Sequence, residues 1–207
     1  MGECFAWTAV GFLLGSMPFS HWITMLLVRK DVRLYGDGNP GAVNAWRAGG
    51  WRCGVPALLL DFSKAAVPVH LAISYGRVGS WCLVPVALAP VFGHAFSPFL
   101  GFRGGKAIAS TFGIWSGLTL WEVPSVFGVF LTALVLIQKV DAWSAVIGMA
   151  CLMPYLLLRN SPETFLVVWA VNFAVLLWKH RRDLTVAPSL RPWVKRALGA
   201  VGERFPF

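Results

Sequence analysis

Long apolar runs recur along the whole chain, separated by short polar segments rich in Gly, Pro, Lys and Arg. A helix needs about 20 apolar residues to cross the hydrocarbon core of a bilayer. Most of these runs lack the polar face that a surface helix of a soluble protein shows. We therefore predict an all-α membrane helix bundle of about seven transmembrane helices, at residues 5–28, 55–75, 80–99, 107–121, 123–137, 143–158 and 164–178.

Some of the predicted helices are short, and the runs 107–121 and 123–137 each span only about 22 Å as a helix. Five or six crossings, with these runs forming a partial hairpin, are the alternative to seven. The first run opens with Glu3 and has no basic stretch before it, which indicates a retained helix rather than a cleaved signal peptide.

Composition supports a membrane protein. Hydrophobic residues make up 57% of the 207 residues and charged residues only 13%, about half the share that is usual in soluble domains. The formal net charge of +9 leaves two candidate partners, nucleic acid and a membrane surface, and the positions of Lys and Arg decide between them. Of the 18 basic residues, Lys64 lies inside a predicted helix, Arg77 and Arg159 lie in loops on one side, and fifteen lie on the other.

The fifteen basic residues on that side are Arg29, Lys30, Arg33, Arg47, Arg52, Arg103, Lys106, Lys139, Lys179, Arg181, Arg182, Arg191, Lys195, Arg196 and Arg204. Cytoplasmic loops of membrane proteins carry such an excess, so we predict an N-terminus outside and a C-terminus in the cytoplasm. The charge follows topology, and we expect membrane lipids and no nucleic acid as partners.

The four cysteines show no spacing typical of a metal site. Cys4 and Cys82 fall on the same predicted outer side, so a disulfide between them is the alternative to free thiols. We expect free thiols.

Three polar segments lie on the predicted cytoplasmic side: "RLYGDGNPGAVNAWR" (33–47), "GFRGGKAIAS" (101–110) and "KHRRDL" (179–184). Loops that meet on one face of a small helix bundle can form a single site. In the first segment, Gly36, Gly38 and Gly41 allow backbone N–H groups to converge on an anion.

The same segment predicts a helix start, with Asn39 as N-cap and Pro40 at the first helical position. Asn44 and Arg47 would then lie one turn apart on one face. A helix N-terminus with an arginine nearby can bind an anion. An interfacial helix whose Arg47 contacts lipid headgroups is the alternative.

In the second segment, Gly104 and Gly105 permit close backbone approach, and Lys106 offers a charge to a phosphate. The spacing does not match the nucleotide-binding P-loop. Upstream, His94 lies inside an apolar run, where an ionisable residue is a candidate functional residue by default. A histidine bonded to a backbone carbonyl is the alternative.

Two pairs of an acidic and a basic residue lie three positions apart. Asp61 and Lys64 share a helix face within an apolar run, and we expect a structural ion pair. His180 and Asp183 follow the last run, and we expect both to face the cytoplasmic pocket.

Five stretches together resemble the bacterial PlsY-type acyl-phosphate:glycerol-3-phosphate acyltransferases: "GSMPFS" (15–20), "GDGNPGAVNAWR" (36–47), "LLLDFSKAAVPV" (58–69), "FGHAFSPFLGFRGGKAIAS" (92–110) and "KHRRDL" (179–184). The resemblance implies a seven-helix protein of the inner (plasma) membrane with a cytoplasmic active site. It also implies transfer of a fatty acyl group from acyl phosphate to the 1-hydroxyl of glycerol 3-phosphate, which forms lysophosphatidic acid. No cofactor, metal, acyl-CoA or acyl carrier protein site is implied.

By position, the resemblance assigns phosphate contact and catalysis to Lys106 and Arg47, and it assigns His180, near the C-terminal end, to holding glycerol 3-phosphate. Asp183 stands where the family has an amide, and we count it among the catalytic candidates. The remaining substrate-binding candidates are Ser16, Asp37, Gly38, Asn39, Gly41, Asn44, His94, Gly104 and Gly105.

Several positions depart from the family pattern, among them four in the site motifs. Asp37 replaces a serine, Val43 a threonine, Ala107 a glycine and Asp183 an asparagine. A carboxylate about 4 Å from a phosphate repels it by roughly 4 kcal/mol per unit charge at an effective dielectric near 20. Either Asp37 turns away, onto a helix N-terminus, or the ligand beside it is not a simple phosphate.

Three functions remain open. The chain is a divergent glycerol-3-phosphate acyltransferase, an acyltransferase for a non-phosphorylated acceptor with Asp183 as general base, or a non-catalytic relative that binds lipid phosphate. We predict one membrane domain (1–190) followed by a basic amphipathic tail (191–207).

Overall fold

The computed structural model describes residues 1–204, the last six by backbone alone, so residues 205–207 of the predicted tail lie outside the described residues. The α-helices are α1 (Gly2–Ser16), α2 (Phe19–Val28), α3 (Ala42–Gly49), α4 (Trp51–Ser74), α5 (Leu83–Ala95), α6 (Ile108–Thr119), α7 (Glu122–Ile137), α8 (Asp141–Ala150), α9 (Leu152–Leu158), α10 (Glu163–His180) and α11 (Pro192–Arg204). Short 3-10 turns lie at Val32–Leu34, Ser80–Cys82, Pro98–Leu100 and Asp183–Thr185. The all-α prediction is confirmed.

Each predicted apolar run overlaps a helical segment, and two runs are divided. The run at 5–28 breaks between α1 and α2 at Met17 and Pro18, because proline supplies no N–H to continue the helix. The run at 143–158 is divided between α8 and α9 at Cys151. Within the described residues 1–204, four segments are long and apolar enough to cross a membrane: Gly2–Val28, Trp51–Ser74, Ser80–Leu100 and Asp141–Leu158.

Glycines let the central helices approach closely. A Cβ atom at Gly15 would overlap the backbone of Pro90, so α1 lies directly against α5. A Cβ atom at Gly113 would overlap the carbonyl of Phe62, so α6 lies equally close to α4. Small residues at such contacts are typical of helices that associate in lipid.

The surface is strongly apolar. Leu26, Val129 and Leu158 are 81%, 69% and 84% exposed, in three different helices. A soluble monomer rarely exposes large contiguous apolar patches, whereas helices in a bilayer direct such side chains toward lipid. This surface is that of an integral membrane protein.

Cys4 and Cys82 form a disulfide, and the expectation of four free thiols was wrong. The packing of α1 against α5 brings their Cα atoms to 5.6 Å, which is within the range for disulfides. Because 78 positions separate them in the sequence, only that packing reveals the proximity. Cys53 and Cys151 are free.

Candidate functional site

The three polar segments meet around one cavity of about 240 Å³. Its polar and glycine lining consists of Asp37, Asn39, Gly41, Asn44, Arg47, Asp61, His94, Lys106, Asp141 and His180. Eight of these ten were predicted from the sequence to be site residues. Asp61 was expected to be only structural, and the lining position of Asp141 was missed, because neither residue lies in a glycine-rich or basic motif.

Lys106 lies between two carboxylates. Its Nζ is 2.5 Å from Asp37 Oδ2 and 2.6 Å from Asp183 Oδ2. Burial alone would lower the pKa of Lys106, but the hydrogen bonds to Asp183 and Asp37 outweigh it and raise the pKa above the ordinary value. Lys106 is therefore a fixed positive charge that is paired twice before any substrate arrives.

Asp37 is directed into the site. Its Oδ1 accepts hydrogen bonds from Asn44 Nδ2 (2.7 Å) and from the backbone N–H of Asn39 (3.2 Å). Burial would raise the pKa of Asp37, but the bonds from Lys106, Asn44 and Asn39 outweigh it and lower the pKa to about 2. The alternative in which Asp37 turns away onto a helix N-terminus was wrong.

Arg47 follows one turn after Asn44 on α3, as the sequence predicted, and its guanidinium donates to Asn44 Oδ1 at 2.9 Å. A Cβ atom at Gly36 would overlap both side chains, and Gly36 adopts a φ of +58°. Glycine is required there because the loop backbone passes directly over the Asn44–Arg47 pair.

The predicted start of α3 was wrong by two residues. The helix begins at Ala42, and its N-cap is Gly41, which has no side chain to cap it. Asn39 instead forms a tight turn, in which its carbonyl accepts from the Gly41 N–H at 2.8 Å and from Asn44 Nδ2 at 2.9 Å. Pro40 therefore precedes the helix.

The loop amides are engaged within the protein. The N–H groups of Gly38, Gly41 and Gly105 donate to the carbonyls of Tyr35, Asn39 and His94 at 3.0, 2.8 and 3.0 Å. The expectation that the glycine amides of the first polar segment converge on an anion is therefore not met at Gly38 and Gly41.

Gly104 and Gly105 serve close packing. A Cβ atom at Gly104 would overlap the carbonyl of His94, and one at Gly105 would overlap the His94 imidazole. Because the loop lies directly on the end of α5, it can hold Lys106 over the cavity. Ala107, which caps α6, adopts a left-handed φ of +62°.

A buried polar cluster forms part of the cavity wall through Asp61 and His94. Lys64 Nζ is 2.6 Å from Asp61 Oδ1, which confirms the predicted ion pair, and Ser20 Oγ donates to Asp61 Oδ2 at 2.7 Å. His94 Nδ1 lies 3.8 Å from the same Asp61 carboxylate. A buried carboxylate requires such partners, and together they fix the wall of the cavity beneath Lys106.

His180 is buried, with 2% of its surface exposed, and it lies on the cavity wall. Its Nδ1 is 2.9 Å from the backbone carbonyl of Leu176. A carbonyl only accepts hydrogen bonds, so Nδ1 carries the proton and Nε2 keeps a lone pair. Nε2 can accept a proton from a hydroxyl group in the cavity.

Lys179 is a residue that the sequence analysis counted only as a basic charge. Its Nζ donates to the carbonyls of Ala95 (2.7 Å) and Gly104 (2.8 Å) and lies over the Phe96 ring. It therefore ties the end of α10 to the loop that carries Lys106. Its position next to His180 in the sequence was the one feature that could have indicated a role at the site.

Ser16 lies outside the cavity lining. Its Oγ donates to the Phe12 carbonyl at 2.7 Å, and its own carbonyl accepts from Ser97. Gly38, Gly104 and Gly105 likewise shape the loops without lining the cavity, and Asp183 reaches the site through Lys106.

An apolar groove of about 310 Å³ adjoins the cavity along α3 and α4. The residues common to the two walls are Ala42, Val43, Arg47 and Leu58, and the groove continues along Trp46, Gly54 and Val55. The cavity that holds the charged side chains and the apolar groove therefore share a wall that includes Arg47.

Comparison with known proteins identifies the family. A family model described as glycerol-3-phosphate acyltransferase matches residues 5–186. Glycerol-3-phosphate acyltransferase 1 of Thermotoga maritima is 38% identical over 189 residues, covering 84% of this chain and 93% of its own. Glycerol-3-phosphate acyltransferase of Syntrophomonas wolfei is 32% identical, covering 84% of this chain and 87% of its own.

The fold also matches a solved structure. The crystal structure of PlsY, an integral membrane glycerol 3-phosphate acyltransferase, in its glycerol 3-phosphate form superposes with a TM-score of 0.81. The two sequences are 28% identical, and the match covers 88% of this chain and 90% of PlsY.

Proposed function

The chain belongs to the glycerol-3-phosphate acyltransferase family and is a membrane acyltransferase, and from that premise we propose the reaction, the donor and the orientation. The enzyme transfers a fatty acyl group from acyl phosphate to the 1-hydroxyl of glycerol 3-phosphate. The product is lysophosphatidic acid for phospholipid synthesis. The cavity opens to the cytoplasm, and about seven helices cross the inner membrane.

One observation carries the choice of donor: the polar cavity and the apolar groove share a wall at Arg47. Acyl phosphate has an anionic head joined directly to an alkyl chain. In this site the head lies near Arg47 and Lys106, while the chain follows the groove along Trp46 and Val55. A donor of this kind needs no separate cofactor, because its phosphate is already a leaving group.

The chemistry follows from positioning and charge. The acceptor oxygen forms a bond to the acyl carbon, and the phosphate leaves with the electron pair of the C–O bond that breaks. The hydroxyl proton passes to Nε2 of His180, whose Nδ1 proton is held by Leu176. Lys106 and Arg47 stabilise the negative charge on the departing phosphate.

The disulfide supports the orientation. Helix α5 begins beside Cys82, and His94, in its last turn, lines the cavity. The disulfide and the cavity therefore lie at opposite ends of the bundle. Disulfides persist in oxidising compartments, so the cavity end faces the cytoplasm, in agreement with the basic loops.

The test is acyl transfer by purified protein in detergent from palmitoyl phosphate to glycerol 3-phosphate, with lysophosphatidic acid detected by mass spectrometry. We expect product with palmitoyl phosphate, none with palmitoyl-CoA, and a loss of at least a hundredfold in Lys106→Ala. Product with palmitoyl-CoA and none with palmitoyl phosphate would overturn the donor assignment. No product from either donor would favour the non-catalytic alternative.

A further inference from the structure

The cations of the cavity are balanced by carboxylates. Lys106 is bonded to both Asp37 and Asp183, and Arg47 joins the same network through Asn44. The formal charges of these two cations and two carboxylates cancel. An entering phosphate therefore meets a neutral cluster in which its lysine partner is already bonded twice.

We propose that Asp37 and Asp183 are specificity-determining residues that extend the acceptor range to an uncharged polyol, with glycerol as the simplest member. The inference rests on the proposed function, since it concerns the acceptor of the same site. Asp37 lines the cavity, Asp183 adjoins it through its ion pair with Lys106, and the two side chains are 38% and 35% exposed, so neither carboxylate is sealed off by protein.

Glycerol 3-phosphate and glycerol interact differently with the cluster of Lys106, Asp37 and Asp183. A phosphate group can contact Lys106 only through its one remaining N–H or by displacing a carboxylate. In either case it lies beside both acids, where like charges repel. A hydroxyl group can donate to the remaining lone pairs of the carboxylates without breaking either ion pair. The acids therefore penalise the phosphorylated acceptor and bind the neutral one.

The proposed reaction with glycerol is balanced. A glycerol oxygen forms the ester bond to the acyl carbon of acyl phosphate, and inorganic phosphate leaves with the electron pair of the broken C–O bond. The glycerol proton passes to His180 Nε2. The products are monoacylglycerol and phosphate, with no further reactant.

The experiment compares the wild type with Asp37→Asn, Asp183→Asn and the double variant. Asparagine keeps the shape of each side chain, and an amide oxygen at position 37 can still accept from Asn44 Nδ2. The control is Asp31→Asn, which removes a carboxylate paired with Arg33 outside the cavity. Melting curves establish that each variant is folded. If the double variant does not fold, the single variant Asp183→Asn, in a short 3-10 turn, takes its place.

Purified proteins receive palmitoyl phosphate with glycerol 3-phosphate and glycerol together, and both products are quantified. The wild type is expected to form monoacylglycerol. The double variant is expected to raise the ratio of lysophosphatidic acid to monoacylglycerol at least about tenfold, while Asp31→Asn shifts it less than about twofold. No monoacylglycerol from the wild type, or an unchanged ratio in the double variant, would overturn the inference.

Binding separates this inference from the proposed donor. Calorimetry of glycerol 3-phosphate without any acyl donor is expected to show at least about tenfold tighter binding in the double variant. If palmitoyl phosphate fails as donor but this tightening appears, the donor assignment is wrong and the role of the acids stands. If transfer succeeds but affinity is unchanged, the role of the acids is wrong.

Discussion

Lys179 Nζ donates to the backbone carbonyl of Gly104 at 2.8 Å, which joins the end of α10 to the loop that presents Lys106. The same ammonium group donates to Ala95 at 2.7 Å. One side chain thus holds the end of α5 and the lysine loop in a fixed relation. No other residue type of this length offers several donors from a single point.

Replacing Lys179 with methionine is expected to keep the chain volume and lose both bonds. The two carbonyls lose a charged donor, and the loop moves relative to the cavity. We expect kcat for acyl transfer to fall at least about tenfold with a smaller change in KM, because Lys106 is misplaced rather than removed. Arg181→Met, which removes the neighbouring exposed cation, is the control. Equal effects of the two variants would indicate a general charge effect instead of loop positioning.

Gly105→Ala is expected to inactivate the enzyme. The added Cβ would overlap the His94 imidazole, so the ring or the loop must move. Gly128→Ala is the matched control, because its nearest neighbour, Phe112, would lie at an ordinary 3.7 Å. Acyl-transfer assays and thermal melts compare them. Full activity in Gly105→Ala would show that the loop does not need its close contact with α5.

Ala107→Gly is expected to stabilise the protein by about 1 kcal/mol, because glycine adopts a left-handed backbone without the penalty that Cβ imposes. Ala107 has a φ of +62°. Ala133→Gly, on an exposed position of α7, should instead destabilise by up to about 1 kcal/mol. The free energy of unfolding in mild denaturant tests both. A loss of stability in Ala107→Gly would contradict the assigned backbone conformation.

The disulfide predicts a thiol count. Denatured protein without reductant should react with maleimide at Cys53 and Cys151 only, and with reductant at four cysteines. Cys4→Ser should destabilise the protein by about 2–4 kcal/mol, since the bond closes a long loop of the unfolded chain. Cys151→Ser is the control. Four reactive thiols before reduction would refute the pairing.

The Asp37 carboxylate should make stability depend on acid pH. Its pKa falls from 3.8 to about 2 on folding, so the ionised form favours the folded state. The contribution is full above about pH 4 and is lost as pH falls toward 2. It is on the order of 1 kcal/mol, because the side chain is 38% exposed and solvent screens it. The difference in stability between wild type and Asp37→Asn should therefore shrink between pH 4 and pH 2. A constant difference would exclude the ionised carboxylate as its cause.

The sequence by itself determined the all-α class, the positions of the apolar helices and the family. Each of these features is indicated by a local pattern in the sequence: a run of apolar residues, a glycine beside a lysine, or a pair three positions apart. Asp61–Lys64 and Asn44–Arg47 were predictable for the same reason, since helix geometry places residues three apart on one face.

Only the tertiary structure decided which distant residues meet. Lys106 pairs with Asp37 across 69 positions, and Cys4 pairs with Cys82 across 78. The Gly105 amide bonds to His94 because the loop folds back onto α5. Such contacts depend on how glycine-lined helices pack, and no periodicity in the sequence encodes that packing. The charge balance around Lys106 is therefore a property of the folded bundle. It is the feature to which we attribute the choice of acceptor.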